Sequence, residues 1–157
     1  QMKASLAVAL SHHAELIIMD EPTSGLDPIF RRELMDLLQD LMTDEEKTIF
    51  FSTHITSDLE RVSDYIAFIH EGKIVFNDPI DQIEEQYKLV KGSMDLLDAD
   101  TERAFINVQK NTTGFEALTR DKSMVDEIFG DSVIIEPASL ESIMYYVQGG
   151  EQNGQFN

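Results

Sequence analysis

The chain has 157 residues, 42% hydrophobic and 27% charged, a balance that excludes wholesale disorder and suits one good core, or one partial core with a small module. Its 12 basic and 30 acidic residues leave a formal net charge of −18, distributed along the whole chain, and such a surface repels phosphate backbones and argues against nucleic-acid binding. Cysteine is absent, which excludes disulfides and thiolate metal sites, and no apolar run approaches the roughly 18 residues of a membrane-spanning helix.

Residues 1–13 carry Met2, Leu6 and Leu10 four apart with alanines between them, which predicts a helix packed on more than one side. The first residues lack the basic start and apolar core of a secretory signal, so the expected compartment is the cytoplasm. His12 and His13 fall at the end of this helix, where a cation meets the negative pole of the dipole; no third ligand is spaced to make them a metal site.

Leu16-Ile17-Ile18-Met19 is short and wholly apolar, which predicts a strand buried on both faces. It ends in two adjacent carboxylates, Asp20 and Glu21, followed by Pro22-Thr23-Ser24-Gly25-Leu26-Asp27. In an open parallel sheet the carboxyl ends of the strands face the ligand crevice, so this strand delivers acid to the edge where a ligand binds. Asp27-Pro28 supplies a capping side chain and a first-turn proline for a helix whose apolar face runs through Ile29, Phe30, Leu34, Leu37, Leu38, Leu41 and Met42.

Asp44-Glu45-Glu46 reads as a solvated turn, and residues 48–52 as a second strand. Ser52-Thr53-His54 follows at its carboxyl end, where strand order can bring His54 to Glu21. A short helix over residues 57–62 comes next, then strands over 65–70 and 73–76 joined by Glu71-Gly72 as a two-residue hairpin turn. Asp78-Pro79 repeats the cap-plus-proline device for a helix with Ile80, Ile83 and Tyr87 on one side.

The pattern weakens over residues 91–102, which read as a boundary; a calcium loop is excluded there because neither its glycine nor its terminal glutamate is in place. Beyond it the chain predicts strands over 104–108 and 115–118, a helix with Met124, Val125, Ile128 and Phe129, a strand over 132–136, and a helix with Leu140, Ile143, Met144 and Val147. The expected organisation is α/β: a first part over 1–91, a small accessory α/β module over 92–150, and a frayed tail over 151–157.

Three of these segments together resemble the ATP-binding cassette (ABC) ATPases of transporters. Residues 16–20 resemble the Walker B strand, with Glu21 at the catalytic glutamate; Ser24-Gly25-Leu26-Asp27 resembles the D-loop; Ser52-Thr53-His54 resembles the switch histidine. The resemblance is close over about the first 90 residues, and the remainder is more loosely similar to exporter ATPases that carry an extra C-terminal module. It implies part of a P-loop NTPase sheet with flanking helices, the substrate ATP, the cofactor Mg2+, a second ATPase subunit that sandwiches nucleotide through Ser24, Gly25 and Asp27, and an integral membrane subunit at the inner face of the cell membrane. No Gly-x-x-x-x-Gly-Lys-Ser/Thr phosphate loop and no signature Ser-Gly-Gly-Gln occur in the 157 residues, so the expectation is the second half of an ATPase, inactive alone. A soluble cassette ATPase acting on ribosomes or DNA shares all three motifs, although the acidity argues against it, and residues 103–148 could serve purely as an interaction module.

In chemical terms Asp20 suits magnesium, which takes one or two carboxylates, keeps waters and shares phosphate oxygens. Glu21 is placed to polarise an attacking water, and His54 to hydrogen-bond a terminal phosphate.

Overall fold

A computed structural model describes residues 14–149 as mixed α/β in two compact units, one ending at Ser63 and the other beginning at Asp64. The helix expected over residues 1–13, with His12 and His13, and the tail expected over 151–157 lie outside the described residues.

In the first unit β1 (Leu16–Asp20) and β2 (Thr48–Ser52) pair in parallel, Leu16 opposite Thr48 and Asp20 opposite Ser52. Parallel neighbours need a crossover, which here contains α1 (Pro28–Leu41). The carboxylate of Asp27 caps α1, accepting from the amides of Ile29 and Phe30 at 3.1 and 3.0 Å, with Pro28 in the first turn where no amide is required. Leu34, Met35 and Leu38 of α1 bury themselves with Val62 of α2 (Thr56–Val62), and Met19, Ile49 and Phe51 pack against that cluster. Because strand side chains alternate, only one face of the pair serves this core. Leu16, Ile18 and Phe50 face away from it, 55%, 69% and 63% exposed, so the burial on both faces expected from the apolar run is not observed.

The second unit opens with a hairpin of β3 (Tyr65–His70) and β4 (Lys73–Pro79). Its two-residue turn is the expected Glu71-Gly72, both residues at positive φ (49° and 73°), the backbone that matches the twist of the flanking strands. The expected cap at Asp78-Pro79 is not formed. Asp78 lies in the ladder opposite Ile66, and α3 (Ile80–Gln86) begins after Pro79 without a side-chain cap. The proline ring pushes the residue before it out of the helical region, which here lengthens the strand instead of starting a helix.

The chain then enters a four-stranded antiparallel sheet in the order β6 (Asn107–Asn111), β7 (Gly114–Thr119), β5 (Lys88–Gly92), β8 (Ile134–Pro137). β5, an inner strand of this sheet, runs into the start of the stretch over residues 91–102 that the sequence marks as a boundary. The strand expected over 104–108 starts later, at Asn107. The Asn111 side chain accepts from the amides of Thr113 and Gly114, both at 2.9 Å, and this turn sets Asn111 opposite Gly114. Upstream, Phe105 lies outside the ladder, its ring stacked on Phe129 and tilted against Phe115. A β-carbon at Gly114 would lie 2.2 Å from the carbonyl oxygen of Gly92, so only glycine permits this approach of β7 to β5.

Val90, Phe115 and Ala117 present one sheet face to Val125 and Phe129 of α4 (Lys122–Phe129). The final helix, α5 (Leu140–Val147), buries Leu140, Ile143 and Tyr146 and is capped by Ser139. No helix among the described residues is long and apolar enough to cross a membrane.

Candidate active site

The parallel register of β1 and β2 places their carboxyl ends side by side. The Ser52 hydroxyl donates to the Asp20 carboxylate across the pair. One residue on, the Glu21 amide donates to the Ser52 carbonyl at 3.0 Å and to its hydroxyl oxygen at 3.3 Å. The chain then turns sharply. Glu21 sits at φ 47°, a left-handed backbone that costs a residue bearing a β-carbon roughly 1–2 kcal/mol.

His54, two residues beyond β2, brings Nδ1 to 2.9 Å from Glu21 Oε2. The His54 side chain is 72% exposed and that of Glu21 35%, so the pair is held together yet open to solvent. Strand order therefore joins these two residues, 33 positions apart, as their places at strand ends imply.

The other residues singled out in the sequence lie on the loop and at the helix start. Ser24 and Gly25 are exposed on a turn closed by the Ser24 amide to the Glu21 carbonyl at 3.1 Å and the Leu26 amide to the Thr23 carbonyl at 3.2 Å, with Gly25 at φ 70°. Asp27 is exposed, and its carboxylate holds the α1 cap. The structure thus gathers Asp20, Glu21 and His54 and leaves Ser24, Gly25 and Asp27 on the outward loop.

Sequence reasoning passed over Thr23 on this loop and the Asp58–Arg31 pair to which it is bonded. Thr23 donates its hydroxyl to Asp58 Oδ2 at 2.7 Å, and Arg31 Nε donates to Asp58 Oδ1 at 2.9 Å. Thr23 and Asp58 are only 2% and 3% exposed. One signal was available: Asp58 stands four residues before Val62, on the buried stripe of a short helix, where a charge requires partners.

Among the described residues no group of three or more His, Asp or Glu side chains could hold a metal as a protein cage. A single exposed carboxylate at a strand end, steadied by a serine hydroxyl, is instead the donor set suited to magnesium, which dehydrates reluctantly and takes its remaining oxygens from water and substrate phosphates.

No protein-family model matches the chain. The bacitracin transport ATP-binding protein BcrA of Bacillus licheniformis is 41% identical over 86 residues, 55% of this chain and 28% of that protein. The lantibiotic transport ATP-binding protein SrtF of Streptococcus pyogenes is 38% identical over 89 residues, 57% of this chain and 38% of that protein. The phosphate import ATP-binding protein PstB of Alcaligenes faecalis is 42% identical over 82 residues, 52% of this chain and 28% of that protein. The chain thus spans 28% to 38% of the length of these relatives.

Proposed function

Because about half of this chain is homologous to the ATP-binding proteins of ABC transporters, we propose that it forms the C-terminal part of an ATP-hydrolysing transporter subunit. The observation that carries the catalytic part of this reading is the contact of Glu21 with His54 beside Asp20, formed by the carboxyl ends of a parallel strand pair. Export is the proposed direction, from the loose resemblance of the residues beyond 92 to the extra module of exporter ATPases. A second ATPase subunit and an integral membrane subunit are the proposed partners, and the inner face of the membrane the proposed location.

In this reading Asp20 would hold magnesium, which when bound would supply positive charge to the phosphates. The Glu21 carboxylate accepts a proton from the attacking water or orients it, an effect worth roughly a hundred- to ten-thousand-fold. With Nδ1 donating to the Glu21 carboxylate, Nε2 donates to a phosphate oxygen at the same time only in the doubly protonated imidazolium form of His54. The left-handed backbone of Glu21 matters here because it sets the carboxylate toward His54 at the strand end. Ser24, Gly25 and Asp27, exposed on the loop, are offered to a second subunit.

In the full-length protein Glu21→Gln is expected to keep ATP binding and lose hydrolysis by at least about a hundredfold, since the amide preserves shape and removes the basic oxygen. Asp20→Asn is expected to weaken magnesium-dependent ATP binding instead. Equal loss of nucleotide affinity in both variants would show that this division of roles is wrong.

A further inference from the structure

The loop that carries Glu21 is fastened from below by a charged group that the chemistry itself does not use. Asp58, in the first turn of α2, divides its carboxylate: Oδ2 accepts from the Thr23 hydroxyl at 2.7 Å, and Oδ1 accepts from Arg31 Nε at 2.9 Å, with a terminal guanidinium nitrogen 2.7 Å away completing the ion pair. The same terminal nitrogen of Arg31 donates to Ser57 Oγ at 2.8 Å. Three segments meet at this carboxylate: the turn after β1 through Thr23, the first helix through Arg31, and the segment that leaves His54 and becomes α2.

Both catalytic candidates are anchored to this point at short range. Thr23 is two residues from Glu21, and Asp58 is four from His54 and bonded through its own amide to the Ile55 carbonyl at 3.0 Å. Glu21 holds an unfavourable left-handed backbone, and strained residues persist only where their surroundings over-determine them. A buried hydroxyl donating to a buried carboxylate, itself held by a guanidinium, is a strong and directional restraint.

We infer that Thr23, Asp58 and Arg31 form a positioning clamp that holds the strained turn at Glu21 and thereby sets the Glu21–His54 contact. The inference rests on the function proposed above for its catalytic consequence, while its structural half stands without it. Asp58 touches no reacting atom in this scheme. It acts through the loop.

Two measurements separate the structural claim from the functional one. In the 157-residue chain, amide hydrogen exchange at Glu21, Ser24 and Leu26 is followed by NMR beside that of the β5–β7 amides as an internal reference. Thr23→Val, which keeps the shape and removes the hydroxyl, is expected to speed exchange at the three loop amides by about tenfold with the reference unchanged, and to remove the through-space contact of the His54 ring with Glu21. Thr23→Ser, which returns the hydroxyl, is expected to restore both. Loop exchange within about twofold of wild type in Thr23→Val, or equal loss in Thr23→Val and Thr23→Ser, overturns the clamp.

Should Thr23→Val fail to fold, Arg31→Lys decides, since Arg31 is partly exposed and lysine replaces the fork with a point charge: faster loop exchange supports the clamp and unchanged exchange overturns it. In the full-length ATPase, Thr23→Val is expected to lower kcat about tenfold with the KM for ATP within about twofold, and Thr23→Ser to recover it. A wild-type full-length protein without ATPase activity would refute the proposed function and leave the exchange result intact. Wild-type kcat in a Thr23→Val protein whose loop has loosened would refute the positioning role alone.

Discussion

Two glutamates share one unusual backbone and serve different ends. Glu21 and Glu71 are the non-glycine residues at positive φ among those described, at 47° and 49°. At Glu71 the conformation is required by a two-residue hairpin, and asparagine or glycine would adopt it at lower cost, so Glu71→Asn is expected to stabilise the chain by up to about 1 kcal/mol. A urea unfolding midpoint that stays level or falls would show that the turn stores no such strain. At Glu21 the same substitution relieves similar strain but removes the carboxylate that meets His54, so any gain in stability should come with loss of hydrolysis in the full-length protein. The motif was legible in the sequence because strand-end chemistry is local: an apolar run followed by acids says where the acids go. The clamp was not, because Thr23, Arg31 and Asp58 are joined only by the parallel pairing and the packing of α1 on α2.

Elements with strong local signals were placed well, and those defined by partners were displaced. Asp27-Pro28 and Asp78-Pro79 carry the same dipeptide, yet only the first caps a helix, because Asp78 is held in a ladder opposite Ile66. The apolar residues Leu140, Ile143 and Tyr146 of α5 are buried, with Asn107 Nδ2 donating to the Tyr146 carbonyl at 3.2 Å. On that side of the sheet Tyr146 donates its hydroxyl to Glu116 Oε1 at 2.9 Å, while Lys91 bridges Glu136 at 2.8 Å and Glu116 at 3.5 Å. Burial, and then the neighbouring Glu116 carboxylate, push the Tyr146 phenol above the ordinary tyrosine value. The sign follows from a pKa raised in the folded state: the stabilisation is fully present below the unfolded value of about 10 and is lost as pH rises beyond it. The second unit is therefore expected to lose stability from about pH 10 upward, with the Tyr146 ring-carbon NMR signal still that of the neutral phenol while the unit remains folded. Ionisation of Tyr146 at an ordinary tyrosine pH in the folded chain would contradict this, and Tyr146→Phe should flatten the alkaline fall.

At the scale of the whole molecule the open question is the face that β1 and β2 turn away from their own core. Parallel strands are normally covered on both sides, whereas Leu16, Ile18 and Phe50 stand exposed together, with Ile18 directly opposite Phe50 in the register. Fully burying side chains of this size is worth about 1.5–3 kcal/mol each, and the chain spans only 28% to 38% of the length of its relatives. Under the proposed function the expected cover is sequence of the full-length protein, which would also supply the phosphate-binding backbone. A paired substitution, Ile18→Thr with Phe50→Thr, tests this because its sign should reverse with context. In the isolated chain it should lower binding of a hydrophobic dye and leave stability within about 1 kcal/mol, since exposed apolar groups contribute little to folding. In the full-length protein it should cost about 3 kcal/mol or more, as burial lost from a packed core. ATP turnover by the isolated chain should remain at background in both forms, because Asp20 and Glu21 without a phosphate cradle are two carboxylates facing a polyanion. A full-length protein as tolerant of the paired change as the isolated chain would show that this face stays bare, and robust turnover by the purified chain would show that its site is complete without further sequence.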